Sequence, residues 1–353
     1  MGNMKLKKPL YLILGSGGAR GLAHIGAIEA LEAKGIIPDV ILGCSMGAIV
    51  GAFFAAGWTG AEMRALAARH GGRELRRLVD PAFPTRSLIH GRKVARWLRR
   101  HLAVERIEDL PRRFMATAMD LQGGRLTVLD RGPLVPAIMA SIAIPGVFPP
   151  LERDGEYFVD GGVVSPVPTR VAIERGAGSI IAVDVCPWIG REQSDAPDTH
   201  RPHKPASNDT DAGLPAALAL VPLLNVPGGE GVRRALERMA GGARALSDRL
   251  LEQWRHWRLE QRMNTPPHIV QTLIRSMMIM QREMGDMHLR LYPPTVLIQP
   301  ALRNMRAYEF DRMQECIELG RAAAEEALAG WEGGTDAPGP NGADNGEAPG
   351  RER

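Results

Sequence analysis

The stretch that most limits how this chain can fold is Val40-Ile41-Leu42-Gly43-Cys44-Ser45-Met46-Gly47, followed by Ala48-Ile49-Val50-Gly51-Ala52-Phe53-Phe54. The short β-branched run reads as a buried strand, and the longer Ala-rich run reads as a helix. A G-x-S-x-G between a strand and a helix forms a nucleophile elbow, a sharp turn that exposes a serine hydroxyl. Gly43 and Gly47 let neighbouring backbone pass close without Cβ clashes. The helix that follows aims its N-terminal N–H groups and the positive end of its dipole at Ser45, favouring negative charge there. The pentapeptide alone also fits a plain tight turn; its position between these two elements favours catalysis.

Upstream, Tyr11-Leu12-Ile13-Leu14 is a strand signal, followed by Gly15-Ser16-Gly17-Gly18-Ala19-Arg20-Gly21 and a predicted helix over 22–34 that Gly35 ends. A dinucleotide fingerprint fails here. Counted from Gly15, the sixth position is Arg20, and counted from Ser16 the first glycine is missing. What remains is a glycine loop whose backbone N–H groups face a small volume at a helix N-terminus, a nest suited to an anion. Beside a nucleophilic serine, that anion is the oxyanion of a tetrahedral acyl intermediate. A plain turn needs one glycine, and four occur in these seven residues. Farther along, Tyr157-Phe158-Val159 delivers Asp160 at a strand end, with Gly161 and Gly162 turning the chain. On local grounds an Asp before two glycines fits turn chemistry as well as catalysis.

The order of these three motifs, glycine loop with Arg, Gly-x-Ser-x-Gly, then Asp-Gly-Gly, resembles the bacterial patatin-like phospholipases of the neuropathy-target-esterase type. The resemblance covers residues 9–185, with a weaker echo at 269–320. It implies an α/β fold, a three-layer sandwich around a mainly parallel central sheet. It also implies Ser45 as nucleophile, Asp160 as general base, and the N–H groups of Gly17, Gly18 and Ala19 as oxyanion hole, flanked by Arg20. Gly43 and Gly47 would shape the elbow, and Gly161 and Gly162 would complete the aspartate motif. No metal and no cofactor enter this scheme. Two departures stand out: Ser16 where many members have glycine, and Ser165-Pro166 where Asn-Pro is usual. The second bears on how Asp160 is oriented.

At 353 residues the chain is long enough for one large core with an insertion and a tail. The expected organisation is an N-terminal extension at 1–8, catalytic core at 9–186, a linker and helical insertion at 187–265, the remainder of the core at 266–330, and a disordered tail at 331–353. The tail is Gly, Pro, Asp and Asn, which bury too little apolar area to offset chain entropy. With 44 Lys and Arg against 40 Asp and Glu, the charge excess is mild, and no nucleic-acid partner is expected. Three widely spaced cysteines support no disulfide framework and suit a reducing compartment. The first residues lack a signal-peptide apolar stretch, and no run long enough to span a membrane occurs. The expected location is cytoplasmic, with peripheral attachment at the inner face of a membrane left open.

Between Arg64 and Arg112 there are thirteen Lys or Arg against five Asp or Glu. A helix there carries Val94, Trp97 and Leu98 on one face and cations on the other, which fits a surface meeting an anionic membrane. An ordinary solvated face with Trp97 packed inward fits equally. Two strands at 114–119 and 125–129 flank a turn at Gln122-Gly123-Gly124, then a helix at 134–141 and a proline-rich stretch at 142–150 follow. That stretch either lines an acyl pocket or closes the sheet edge. A helix at 167–175 and an unbroken apolar strand at 179–185 come next. Within 232–263 a long helix with eight arginines against four acids suits packing, an oligomer contact or a membrane contact. The Met-rich helix at 268–287 is expected to be core. A strand at 295–298 and a helix at 309–329 close the fold.

The reaction expected is hydrolysis of an acyl ester by a Ser45–Asp160 dyad, with phospholipid or lysophospholipid as substrate. The alternatives are an α/β-hydrolase triad using His256, His268 or His288, or a lipid-binding regulatory protein that has lost turnover. His24, four residues beyond Arg20, is expected to be a packed or solvated helix histidine. A transacylase shares the same residues, because the choice of acceptor leaves no clear mark in sequence.

Overall fold

Leu10, Leu12 and Leu14 point to one side of the first strand and Tyr11 and Ile13 to the other, and all five are buried. A strand that is apolar on both faces needs cover on both, which is the signature of a parallel sheet between helical layers. The computed structural model describes residues 6–82, 87–186, 269–302 and 305–331. Its strands are β1 (Leu10–Leu14), β2 (Val40–Cys44), β3 (Arg113–Asp120), β4 (Leu126–Leu129), β5 (Leu151–Arg153), β6 (Glu156–Asp160), β7 (Ser179–Val183) and β8 (Val296–Ile298). They form one sheet in the order β5-β6-β3-β2-β1-β7-β8, with β4 paired to β3. The pairs from β3 through β2, β1 and β7 to β8 are parallel, while β4, β5 and β6 are antiparallel to their neighbours.

The helices are α1 (Ala23–Ala33), α2 (Met46–Ala55), α3 (Gly60–Arg77), α4 (Arg92–Leu102), α5 (Leu134–Ser141), α6 (Thr169–Glu174), α7 (Ile269–Leu291) and α8 (Met313–Ala327). One core, with Leu10, Leu12, Leu14, Ile28, Phe53, Leu98, Ile138 and Ile317, joins one face of the sheet to α1–α5 and α8. A second core, with Ile13, Leu42, Val171, Ala182 and Leu289, joins the other face to α6 and α7. The three-layer sandwich with a mainly parallel centre expected from sequence is the fold observed. Gly35 lies at φ +67° just past α1, the left-handed stop a glycine permits.

Some expectations shift. The first helix begins as a 3-10 turn, Gly18–Leu22, and the closing helix is preceded by another, Phe310–Arg312. Trp97 packs against Phe53, with ring centroids 5.6 Å apart. Among the described residues the Met-rich helix α7 is only partly core: Gln281 and Leu289 are buried, whereas Ile279, Met280 and Met287 are exposed. Contacts to one face of the sheet need only a narrow stripe, and the apolar residues outside that stripe remain uncovered. Among the described residues no helix is long and apolar enough to cross a membrane. The expectations for 1–5, 187–268 and 332–353, among them the linker, the long basic helix and the tail, lie outside the described residues.

α8 returns from late in the chain to cross α1 at two glycines. A Cβ on Gly26 would lie 1.9 Å from the Ile317 carbonyl oxygen, and one on Gly320 would lie 2.0 Å from that of Ala23. The two backbones touch, so any side chain at either position forces the helices apart. Gly320→Val is expected to destabilise the fold by about 1–3 kcal/mol or more through overpacking. A fall in the urea midpoint with unchanged slope would show it, and an unchanged midpoint would refute the crossing.

Candidate active site

β2 ends at Cys44 and α2 begins at Met46, so Ser45 alone makes the turn, at φ 55° and ψ −121°. A non-glycine residue in that region carries strain of about 1–3 kcal/mol and is held there only by its surroundings. Here the surroundings are tight. A Cβ on Gly47 would lie 2.0 Å from the Leu14 carbonyl oxygen, and one on Gly43 would lie 2.5 Å from the Ala48 Cα. The Ser45 N–H is given to Ser141 Oγ at 2.9 Å, and the Ser45 carbonyl accepts the N–H of Ala48 in the first turn of α2. The backbone is therefore clamped on both sides, leaving the hydroxyl to other work.

That hydroxyl donates to Asp160 Oδ2 at 2.6 Å. The sheet explains how residues so far apart in sequence meet. β3 gives one edge to β4 at Ala116–Met119, so β2 and β6 must share its opposite edge. β2 runs parallel to β3 and ends with Cys44 opposite Thr117; β6 runs antiparallel and ends with Asp160 opposite Ala118. The two C-terminal ends meet one residue apart. The Asp160 N–H is held by the Ala143 carbonyl at 3.0 Å, and Oδ1 accepts the Gly162 N–H at 2.7 Å. Gly161 has no room for a side chain, since a Cβ would lie 2.7 Å from the Thr117 carbonyl oxygen. Ser45 is 3% exposed and Asp160 1%. Burial pushes the Asp160 carboxyl up to about 6, against the opposing pull of the Ser45, Gly162 and Cys44 hydrogen bonds.

The glycine loop lies against both. A Cβ on Gly21 would strike Met46, one on Gly162 would strike Ser16, and Gly47 touches Leu14 and Gly15. Most of the loop is tied down: Gly15 N–H to Val183, Ser16 N–H to Pro166, and Ala19 N–H to the Ala307 carbonyl at 2.6 Å. His24 Nε2 donates to the Gly15 carbonyl at 2.8 Å, and Arg20 Nε donates to the Gly17 carbonyl at 3.3 Å. Cys186 and Cys316 thiols point at the Ser16 and Arg20 carbonyls, 3.1 Å and 3.2 Å away. The Gly17 and Gly18 N–H groups have no acceptor among the described residues. Gly18 is at φ +59°, and a Cβ there would also strike Ala307. The Ala19 amide, grouped with these two in the sequence reading, is instead spent on holding the loop.

The neighbours define what the site is not. Burial holds His24 down at about 4, so it is neutral, with its proton on the nitrogen facing Gly15. His288 bonds Ser165 Oγ at 3.4 Å, and among the described residues no histidine reaches Asp160. His256 and His268 lie outside them. Burial, then the charge of Asp160, pushes the Cys44 thiol well above its usual range, so it is no nucleophile. Ser165, one of the two departures from the usual motif, does not orient Asp160; Gly162 and Ala143 do. Sequence reading missed Ser141, Ala143 and Ala307. Ser141 ends α5 in an apolar run, where a lone serine carries no local signal.

A patatin-like phospholipase family model matches residues 12–173. An NTE family protein of Mycobacterium tuberculosis, Rv1063c, is 35% identical over 346 residues, covering 91% of each chain. Patatin-like phospholipase domain-containing protein 6 of mouse is 32% identical over 182 residues, 50% of this chain and 13% of that protein. Among solved structures, VipD from Legionella pneumophila aligns over 51% of this chain and 50% of that one with 14% identity and a TM-score of 0.33.

The raised carboxyl makes a stability prediction. Below the unfolded value of 3.8 Asp160 is protonated in both states; as pH climbs through about 6 the unfolded chain has released its proton and the fold must ionise a buried group. Two pH units of raised affinity cost the fold about 3 kcal/mol by neutral pH. Asp160→Asn removes that cost. The variant is expected to gain on the parent as pH rises from about 4 to about 6 and to hold a lead of up to about 3 kcal/mol at neutral pH, read by urea unfolding. A difference that does not grow with pH would show that the carboxyl is not raised.

Proposed function

The chain belongs to the NTE family of patatin-like phospholipases, and from that premise we propose that it hydrolyses lipid acyl esters through a Ser45–Asp160 dyad. The observation that supports this most is the 2.6 Å hydrogen bond from a strained, buried serine to a buried carboxylate whose other side-chain hydrogen-bond partner among the described residues is the Cys44 thiol. A carboxyl raised to about 6 is a better base than an ordinary Asp yet still ionised at neutral pH.

In the proposed reaction Asp160 takes the Ser45 proton as Oγ attacks the ester carbonyl carbon. The oxyanion is received by the Gly17 and Gly18 N–H groups at the positive end of the helices that begin there. Ala19 anchors the loop, and Arg20 braces it through the Gly17 carbonyl. Collapse of the intermediate breaks the ester bond; the alcohol, a lysolipid or a glycerophospho-alcohol, leaves with the proton from Asp160. Water then attacks the acyl-serine, Asp160 again accepting a proton and returning it to Ser45 as the fatty acid departs. The substrate class proposed is a phospholipid or a lysophospholipid.

Ser45→Ala is expected to lower ester turnover at least about a thousandfold while the protein stays folded. kcat/KM should rise with pH to a plateau with its midpoint near about 6, because the base must be ionised in the free enzyme. His288→Asn should keep turnover, as a dyad requires. Parental turnover of a lysophospholipid by purified Ser45→Ala protein would sink the assignment.

A further inference from the structure

We propose that the exposed face of α4, together with the apolar loop at 144–150, docks on an anionic lipid bilayer and brings the dyad to it. This deepens the lipid-hydrolase reading, and it rests on different residues.

α4 reads Arg-Lys-Val-Ala-Arg-Trp-Leu-Arg-Arg-His-Leu, without one acid. Leu98 and Leu102 are buried against the core, and Trp97 lies on Phe53. Arg92, Arg96, Arg99 and Arg100, at helical spacings of four, seven and eight, are exposed. None of these four is paired with an acid among the described residues. Some exposed arginines elsewhere find carboxylates, such as Arg170 with Glu174 and Arg321 with Glu325, while others, such as Arg69, Arg125 and Arg290, have none among the described residues; what sets α4 apart is that four such arginines share one short helix with no acid on it. The helix dipole does not explain this clustering. Cations in the last turn complement it, but Arg92 and Lys93 stand in the first turn, where they oppose it. Asp80 must cap that end, accepting the N–H groups of Gly91, Arg92 and Lys93.

The loop supplies the second half of the surface. Ile144-Pro145-Gly146-Val147-Phe148-Pro149-Pro150 holds no charge, with Pro145 and Gly146 exposed and the remainder half-buried. It is pinned to the segment leading into α4, since the Leu88 and Ile89 N–H groups donate to the Gly146 and Val147 carbonyls at 3.0 Å and 2.9 Å. The Phe148 ring touches the start of α4, for a Cβ on Gly91 would lie 3.1 Å from it. At its other end the same loop begins from Ala143, whose carbonyl holds the Asp160 N–H. One continuous stretch thus runs from the catalytic carboxylate through an uncharged loop to a helix whose Arg92, Arg96, Arg99 and Arg100 meet no acid among the described residues. Cations for the head groups and an adjoining apolar segment for the acyl boundary are what an interfacial surface needs. A single-stranded nucleic acid would want exposed aromatics for stacking, and the one aromatic of the Trp/Tyr/Phe type in α4 is packed inward.

The test is vesicle co-sedimentation of the full chain, carrying Ser45→Ala so that no turnover occurs. It compares vesicles of phosphatidylcholine alone with vesicles of phosphatidylcholine mixed with phosphatidylglycerol. Binding is expected only to the mixed vesicles and should weaken as salt rises. Arg96→Gln/Arg99→Gln/Arg100→Gln is expected to lower the partition coefficient about 100-fold, at about fivefold per surface cation. The matching triple Lys variant, which keeps the charge, should bind like the parent, and Pro145→Asp should bind less well. Equal binding to both vesicle types, undiminished binding by the Gln variant, loss of binding by the Lys variant, or a preference for an RNA oligonucleotide over mixed vesicles would each overturn the proposal. Because binding is read without turnover, its failure leaves the Ser45–Asp160 assignment standing, and failure of that assignment leaves binding measurable.

Discussion

Two strands approaching from opposite directions along one edge of β3 are the constraint on which the rest of this structure depends. β2 stops at Thr117 and β6 stops at Ala118, so their last residues, Cys44 and Asp160, come to rest side by side. The hydroxyl of the next residue after β2 then has a carboxylate 2.6 Å away without any flexible element spanning the distance. Ladder hydrogen bonds set that register, and a slip of one residue would turn Asp160 to the other face of the sheet. The glycine loop, the end of α5 and the α1–α8 crossing all serve to hold that junction in place.

Such a junction is expensive to keep. A serine at positive φ stores strain, and a carboxylate at 1% exposure loses its hydration. The core around it is apolar on both faces of the sheet, which supplies the opposing term through burial. The raised Asp160 carboxyl is one consequence of the same cost, and it is the property the proposed proton transfer would use.

The glycine loop is held from several directions by groups of unlike chemistry. A neutral histidine, an arginine and two thiols take its carbonyls, while Pro166, Val183 and Ala307 take its N–H groups. With so many of its polar atoms engaged, the loop leaves the Gly17 and Gly18 amides without an acceptor among the described residues. Preorganised donors of this kind need not reorient when charge develops. The surface is arranged to similar effect, because the loop that fixes the Asp160 backbone also adjoins the cationic helix α4.

Much of this was legible in the sequence because it is local. The elbow at Gly43–Gly47, the glycine run after β1 and the turn at Asp160 follow from which residues tolerate close backbone approach and which runs are apolar on both faces. Gly35 as a helix stop and the unbroken apolar strands follow from the same short-range rules. What pairs with what did not. That Ser141 takes the Ser45 amide, that Ala307 takes the Ala19 amide, and that His24 serves the Gly15 carbonyl all depend on packing rather than on local sequence. The same holds for the exposed methionines of α7, whose composition alone suggested a core. Sequence by itself determined the kinds of element, the candidate groups and the family; the tertiary structure alone decided, among the described residues, which loop amides lack an acceptor, which α4 arginines lack an acid and how far the Asp160 carboxyl rises. The reason is physical: backbone preference and apolar periodicity act over a few neighbouring residues, whereas desolvation and hydrogen-bond partnering depend on every group that packing brings within a few ångströms.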